Sequence, residues 1–138
     1  MQPSGVLIIE DEPILLDTLS SSLRLKLPRT HIDTADTVLA SLERIRSMEY
    51  AAILCDAHQR GLEGIGFVRA VHKIHPMCPV LLLVEKHHED LFRQAMDAGA
   101  YDVLVKPVEE GTVLFAIRRA IEVSQLRWKV TREEAQFV

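Results

Sequence analysis

Five strand-length segments, each followed by a stretch with helical periodicity, constrain what this 138-residue chain can fold into. Residues 6–9, 51–55, 79–84 and 101–105 are short runs dominated by apolar side chains, whereas residues 31–35 are more polar. Continuous apolar runs of this length are typical of strands covered on both faces, and the more polar run indicates a strand nearer the sheet edge. The alternation predicts an α/β fold with a doubly wound parallel sheet.

The segments between the predicted strands carry signals for helix ends. Pro13 suits the first turn of a helix with a leucine stripe, and Asp36 or Thr37 can cap the next helix. Gly99 is well placed to close the fourth helix, and the last predicted helix runs from Val108 towards the C-terminus. Each strand is therefore expected to be followed by one helix.

Charged residues stand where three of the predicted strands end. Glu10 and Asp11 follow the first strand, Asp56 follows the third, and Lys106 with Pro107 follows the fifth. In parallel α/β sheets ligands bind beyond the carboxyl ends of the strands. Three carboxylates and an ammonium at that edge predict a site for a divalent cation and a phosphoryl group.

Composition limits the classes of partner. The formal net charge of −4 argues against direct nucleic-acid binding, which needs a basic face. Apolar runs are only strand-length and the first residues do not resemble a signal peptide, so no membrane association is expected. Cys55 and Cys78 lie in or beside apolar runs and are interpreted as reduced core thiols. We expect one soluble, cytoplasmic domain.

The order and spacing of several motifs resemble the receiver domain of two-component response regulators over roughly residues 5–123. The resemblance implies a flavodoxin-like (βα)5 fold with a five-stranded parallel sheet in the order 2-1-3-4-5. The residues that carry it are Glu10-Asp11, Asp56, the loop with Gly61 and Gly64, Ala98-Gly99-Ala100 and Lys106-Pro107.

The resemblance also implies roles for these residues. Asp56 would be the phosphoacceptor, taking a phosphoryl group from a sensor histidine kinase or a phosphotransfer protein. Lys106 would contact that group, and the Lys106–Pro107 peptide would be cis. The cofactor would be Mg²⁺, whose hard oxygen ligands would come from Glu10 through water, Asp11, Asp56 and the backbone carbonyl of His58.

The chain departs from the family pattern at the residues that relay phosphorylation. Val84 stands where a switch threonine or serine is usual, and Glu85 replaces the small residue after it, adding bulk and negative charge that can repel the phosphodonor. Val103 occupies the usual position of an inward-turning aromatic residue, and Tyr101 is expected on the same strand face. Arg60 replaces a proline that is common in the loop after Asp56. These substitutions predict an atypical switch.

Simpler interpretations exist for several polar residues. Glu12 is interpreted as an acidic residue at the start of the first helix, and the acidic pair before it can serve as such a cap too. The His58 ring can act near the phosphoryl group, but a solvated loop histidine is the preferred interpretation. His87 and His88 are interpreted as a polar helix start rather than a metal site, because adjacent side chains diverge on a helix.

The C-terminal segment is longer than a receiver needs. We expect a receiver domain at residues 4–123 and a helical extension at 124–138. Val123, Leu126, Val130 and Phe137 follow the apolar spacing of a coiled coil. The extension is interpreted as a linker to an output domain or as a contact between two copies in a homodimer.

These observations predict a phosphoacceptor receiver rather than an enzyme with separate substrate turnover. The alternative within the family is a degenerate receiver that acts as a phosphorylation-independent interaction or dimerisation module. A flavin carrier would need a phosphate-binding loop where the acidic pair stands. An aspartate-dependent phosphohydrolase would need its second aspartate where Pro13 stands.

Overall fold

Five parallel strands form one sheet in the computed structural model, which describes residues 2–58, 63–86 and 89–136. Its order is 2-1-3-4-5 in chain numbering, so the predicted (βα)5 topology is confirmed. The first strand pairs with the second and third strands. The more polar second strand is therefore at an edge of the sheet, as its composition predicted. The strands are β1 (Val6–Ile9), β2 (Ile32–Ala35), β3 (Ala52–Asp56), β4 (Val80–Val84) and β5 (Asp102–Val105).

Five helices follow the strands, and their ends agree with the local signals. Pro13 opens the first helix, and Thr37 Oγ1 accepts a hydrogen bond of 3.1 Å from Ala40 N at the start of the second. Gly99 adopts a φ of 105° just after the fourth helix, where a side chain would be strained. The helices are α1 (Pro13–Lys26), α2 (Val38–Ser47), α3 (Gly64–Ile74), α4 (Glu89–Asp97) and α5 (Glu110–Gln136).

The sheet has an apolar core on each face, because successive strand residues point to opposite sides. One core joins strand residues such as Leu7, Leu82 and Val103 to α2, α3 and α4, and it also contains both cysteines. The other joins Ile8 and Leu54 to α1 and α5. With helices on both sides, three of the strands (β1, β3 and β4) are buried along their whole length, and the polar strand ends remain at one edge.

Tyr101 does not share a face with Val103, so that prediction is wrong. The ring packs against the core on the α1 and α5 side, whereas Val103 belongs to the opposite core. The reason is that β5 begins only at Asp102, so the strand alternation does not extend back to residue 101. Tyr101 is therefore no substitute for the missing aromatic residue.

Helix α5 extends past the sheet. Arg127 donates a hydrogen bond of 3.1 Å to the carbonyl of Met77, and Ser124 is buried, so the helix still contacts the domain at these residues. Leu126 and Val130 are exposed, and Phe137 lies outside the described residues. Among the described helices, none is long and apolar enough to cross a membrane.

Candidate cation and phosphoryl site

The sheet register brings the predicted site residues to one edge. Ile9 pairs with Cys55, so the next residues along these strands, Glu10 and Asp56, end adjacent strands. Beyond β5, Lys106 N donates to Val84 O at 2.8 Å, which fixes the start of the Lys106 loop beside the end of β4. The Lys106–Pro107 peptide bond is cis. Residues far apart in the chain therefore meet because their strands are neighbours.

Three carboxylates form the acidic part of the site. Glu10, Asp11 and Asp56 each offer an oxygen within 4.8 Å of the others. The Glu10 and Asp56 residues are only 1% and 4% exposed, whereas Asp11 is exposed. Neither carboxylate oxygen of Glu10 accepts a hydrogen bond of ordinary geometry from the described residues. Buried carboxylates without donors are costly, so this cluster is incomplete as a purely protein structure.

Burial raises the pKa of Glu10 to about 8, and the neighbouring Asp56 carboxylate adds to this while Lys106 opposes it. Glu10 and Asp56 repel each other when both are ionised. A protonated Glu10 can instead donate a hydrogen bond to the Asp56 carboxylate, which favours the protonated form of Glu10 and adds to the rise in its pKa. Among the described residues, the positive charge of Lys106 is therefore too small to offset both the burial of Glu10 and its repulsion by Asp56.

Asp56 has a donor for each carboxylate oxygen. The backbone N–H of His58 donates to Oδ1 at 2.9 Å, and Lys106 Nζ donates to Oδ2 at 2.9 Å. Burial acts to raise the pKa of Asp56, but its hydrogen bonds with Glu10, Lys106 and His58 hold the pKa below its usual value. Burial likewise opposes the charge on Lys106, yet its pKa is raised because Asp56, Glu10 and Glu85 surround it.

The donor set fits a hard divalent cation. Oxygen ligands from carboxylates suit Mg²⁺, and the two unpartnered oxygens of Glu10 stand within the cluster. The single ammonium of Lys106 lies 2.9 Å from Asp56 but 4.0 Å from Glu10, so it does not neutralise all three carboxylates. A cation held by Glu10, Asp11 and Asp56 would supply the missing positive charge.

His58 is exposed in the loop after β3, as the interpretation of a solvated loop histidine predicted, but its ring also contacts the loop after β4. Its Nε2 accepts a hydrogen bond of 2.9 Å from the backbone N–H of Glu85. The Glu85 side chain is 48% exposed, and its Oε1 lies 3.9 Å from Lys106 Nζ. No local pattern could have revealed this contact, because it joins two loops 27 residues apart.

The two substituted switch positions are buried together. Val84 and Val103 are 2% and 6% exposed and belong to the same apolar core. A Cβ on Gly64 would stand 2.9 Å from the Cβ of Ala57, so the loop after Asp56 leaves no room there for a larger residue. Arg60, Gly61, His87 and His88 lie outside the described residues.

Comparison with known proteins identifies the family. The model of the response regulator receiver domain matches residues 6–118, and the chain belongs to this family. Among curated relatives, the C4-dicarboxylate transport transcriptional regulatory protein DctD of Pseudomonas aeruginosa is 31% identical over 88% of this chain and 26% of its own length. The response regulator protein PilR of the same organism is 28% identical over 88% of this chain and 27% of its own length.

Solved structures agree with this assignment. A response regulator receiver domain protein from Clostridium thermocellum is 26% identical with a TM-score of 0.82, covering 89% of this chain and 98% of that one. The beryllofluoride-activated NtrC4 receiver domain dimer is 26% identical with a TM-score of 0.79, covering 87% and 98%. The chain spans only about a quarter of the length of the curated relatives named above.

Proposed function

We propose that this chain is a phosphoacceptor receiver that takes a phosphoryl group onto Asp56 with Mg²⁺ and transmits it by an atypical switch. One observation carries the proposal. The buried Asp56 carboxylate stands beside Glu10 and Asp11 and accepts hydrogen bonds from Lys106 and from the His58 backbone. This arrangement combines a nucleophile, a cation site and a fixed positive charge.

In the proposed transfer an Asp56 carboxylate oxygen attacks phosphorus on a phosphorylated histidine. The new O–P bond gives an acyl phosphate, and the P–N bond breaks with its electron pair passing to the histidine nitrogen. The lowered pKa keeps Asp56 ionised and therefore nucleophilic. Bound Mg²⁺ would offset charge on the phosphoryl oxygens.

Lys106 and the His58 backbone would orient the reacting carboxylate. Lys106 Nζ lies 2.9 Å from Asp56 Oδ2 and is close enough to follow a phosphoryl oxygen when the acyl phosphate forms. The His58 N–H holds Oδ1. We assign the metal ligands to Glu10, through water, to Asp11 and Asp56, and to the backbone carbonyl of His58.

The partners follow from this chemistry. A sensor histidine kinase or a phosphotransfer protein would supply the phosphoryl group. It would approach across an open groove of about 510 Å³ beside Lys106, lined also by Ile14 and Leu15 of α1. We expect a cytoplasmic protein without substrate turnover beyond loss of its own phosphoryl group. The net charge of −4 argues against direct binding to nucleic acid.

We place the receiver at residues 4–123 and a connecting helix at 124–138. The exposed Leu126 and Val130 support this division, because they lie on α5 past the family match at residue 118. Such a helix suits a link to an output domain or a contact with a second copy.

A second candidate is a receiver-like interaction module in which phosphorylation has no effect on the output. The observation in its favour is the burial of Val84 and Val103, which supply neither a hydroxyl nor an aromatic ring to the relay. The two candidates differ in whether Asp56 gains a phosphoryl group and whether that gain changes the surface.

The test is incubation with Mg²⁺ and acetyl phosphate, followed by intact-protein mass measurement. We expect one added phosphoryl group, lost when EDTA removes Mg²⁺ and lost in Asp56→Asn. Asp17→Asn is the matched control, because Asp17 is an exposed carboxylate on α1. An unphosphorylated wild-type chain, or equal phosphorylation of Asp56→Asn, would overturn the assignment of Asp56.

A further inference from the structure

Four residues form a closed circuit of contacts around the mouth of the site. The His58 backbone N–H donates to Asp56 Oδ1 at 2.9 Å, and the His58 ring accepts from the Glu85 backbone N–H at 2.9 Å. Glu85 Oε1 lies 3.9 Å from Lys106 Nζ, which donates to Asp56 Oδ2 at 2.9 Å. The loop after β3 is thereby tied to the loop after β4 by a residue that also contacts the acceptor carboxylate.

The chemistry of this circuit assigns a role to each atom. A backbone N–H can only donate, so His58 Nε2 is the unprotonated, accepting nitrogen. The Glu85 carboxylate is drawn towards Lys106, the cation that also faces Asp56 and Glu10. Glu85 therefore has its backbone held by one residue of the site and its side chain attracted by another.

Phosphorylation would change the balance of charge at one point of the circuit. An acyl phosphate on Asp56 places additional anionic oxygens next to Lys106, and these compete with the Glu85 carboxylate for the same ammonium. The negative charges of the phosphoryl oxygens and of the Glu85 carboxylate would also repel each other, because both groups would lie close to Lys106 Nζ. Because the Glu85 backbone begins the loop after β4, displacement of its side chain pulls on the bond between its N–H and His58.

We propose that the hydrogen bond between the His58 ring and the Glu85 N–H is a latch, and that a phosphoryl group on Asp56 opens it by displacing Glu85 from Lys106. The latch performs through charge repulsion what a switch hydroxyl would do through attraction, which Val84 has no atom to provide. His58 and Glu85 are positioning residues here, since they act through the loop after β4. The proposal rests on the proposed phosphorylation of Asp56.

The bond itself can be measured in the ¹⁵N-labelled 138-residue chain. A scalar coupling across an N–H···N hydrogen bond between Glu85 N and His58 Nε2 reports the latch directly. We expect this coupling in the unphosphorylated protein and its loss when beryllofluoride and Mg²⁺ are added, together with shifts of amide resonances in the loop after β4. Absence of the coupling from the unphosphorylated protein would overturn the latch.

Two variants separate the parts of the circuit. Glu85→Gln keeps the N–H but removes the repelled charge, so the coupling should persist after beryllofluoride and Mg²⁺ are added. His58→Phe removes the acceptor, so resonances of the loop after β4 should already lie near their beryllofluoride positions. His31→Phe is the matched control, since His31 is exposed and contacts Asp33 on β2 instead. Loss of coupling in Glu85→Gln equal to that in wild type would contradict the repulsion mechanism.

The outcomes distinguish this latch from the function on which it rests. If beryllofluoride with Mg²⁺ shifts no resonance at Asp56, the phosphoacceptor function fails, whether or not the coupling is present beforehand. If it shifts resonances at Asp56 but leaves the coupling intact, phosphorylation stands and the latch is refuted.

Discussion

Val84→Thr places a hydroxyl where the family usually has one, and its effect on stability can be worked out from the burial of this residue. Val84 is 2% exposed and belongs to an apolar core, so the new hydroxyl leaves water at a cost of about 1–3 kcal/mol unless it finds a partner. We expect Val84→Thr to lower the free energy of unfolding of the phosphate-free protein by roughly 2 kcal/mol.

A phosphoryl group would provide the missing partner. A hydrogen bond to a charged group contributes about 1.5–3 kcal/mol, similar in size to the cost of burying the hydroxyl. With beryllofluoride and Mg²⁺ bound, the difference in unfolding free energy between Val84→Thr and wild type should therefore shrink to near zero. Urea unfolding of both proteins, each with and without beryllofluoride and Mg²⁺, measures the four free energies needed.

Val103→Thr is the matched control for this cycle. It makes the same substitution in the same core, at a residue that is 6% exposed and lies on β5. Its destabilisation should be the same in both conditions. If Val84→Thr is also destabilised equally in both conditions, the hydroxyl does not reach the phosphoryl group, and the reasoning that Val84 removes the usual relay is refuted.

Three further predictions concern the acidic site, the half-buried Asp33 and two glycines. Burial raises the pKa of Glu10 to about 8, so ionisation of Glu10 lowers the stability of the folded state as the pH rises from 4.5 towards 8. Glu10→Gln should therefore stabilise the metal-free protein at neutral pH and remove its stabilisation by Mg²⁺. Equal stabilisation of Glu10→Gln and wild type by Mg²⁺ in urea unfolding would contradict the role of Glu10. Burial opposes ionisation of Asp33, but the 2.6 Å hydrogen bond from Tyr50 and nearby positive charges lower its pKa. The stability that ionised Asp33 contributes is complete above its pKa in the unfolded state and is lost as the pH falls through its pKa in the folded state. Asp33→Asn should therefore reduce the slope of unfolding free energy against pH on the acid side, and an unchanged slope would argue against this role of Asp33. Gly99→Ala should lower the free energy of unfolding by about 1 kcal/mol or more, because φ is 105° at this residue. Gly111→Ala on α5 has open space around the new Cβ and should be neutral or stabilising. A lower melting temperature for Gly111→Ala than for Gly99→Ala would disprove this reasoning.

Several features of the site could be predicted from the sequence because they depend on rules of parallel sheets. Glu10, Asp56 and Lys106 were expected to meet because each follows an apolar run and the carboxyl ends of parallel strands share one edge. The sequence could not show that Glu10 is buried and Asp11 exposed, since either residue of an adjacent pair can turn inward once the strand ends. In the structure, Glu10 N continues the pairing of β1 by donating to Ala35 O.

The contact between His58 and Glu85 had no signal in the sequence. Both residues stand in loops, where neither the period of a helix nor that of a strand applies, and 27 positions separate them. Tyr101 shows the same limit at a strand boundary, because a shift of one residue in the start of β5 reversed the face expected for its ring. The sequence therefore failed to predict contacts in loops and the faces of residues at strand ends. Several residues around Asp56 lie in such loops.

The cost of burying the carboxylates bears on whether this site still binds a cation, although the switch residues near it are substituted. Glu10 is buried with two oxygens that lack donors among the described residues, and this raises its pKa, so the cluster destabilises the fold when no cation is bound. A cation held by the three carboxylates would reverse that cost, and a ligand that binds only the folded state stabilises it. A module that only docked onto partners would gain stability from a neutral residue at Glu10. The cluster is therefore easier to explain if the chain binds a cation and accepts a phosphoryl group, even though Val84 and Val103 supply neither the hydroxyl nor the ring of the usual relay.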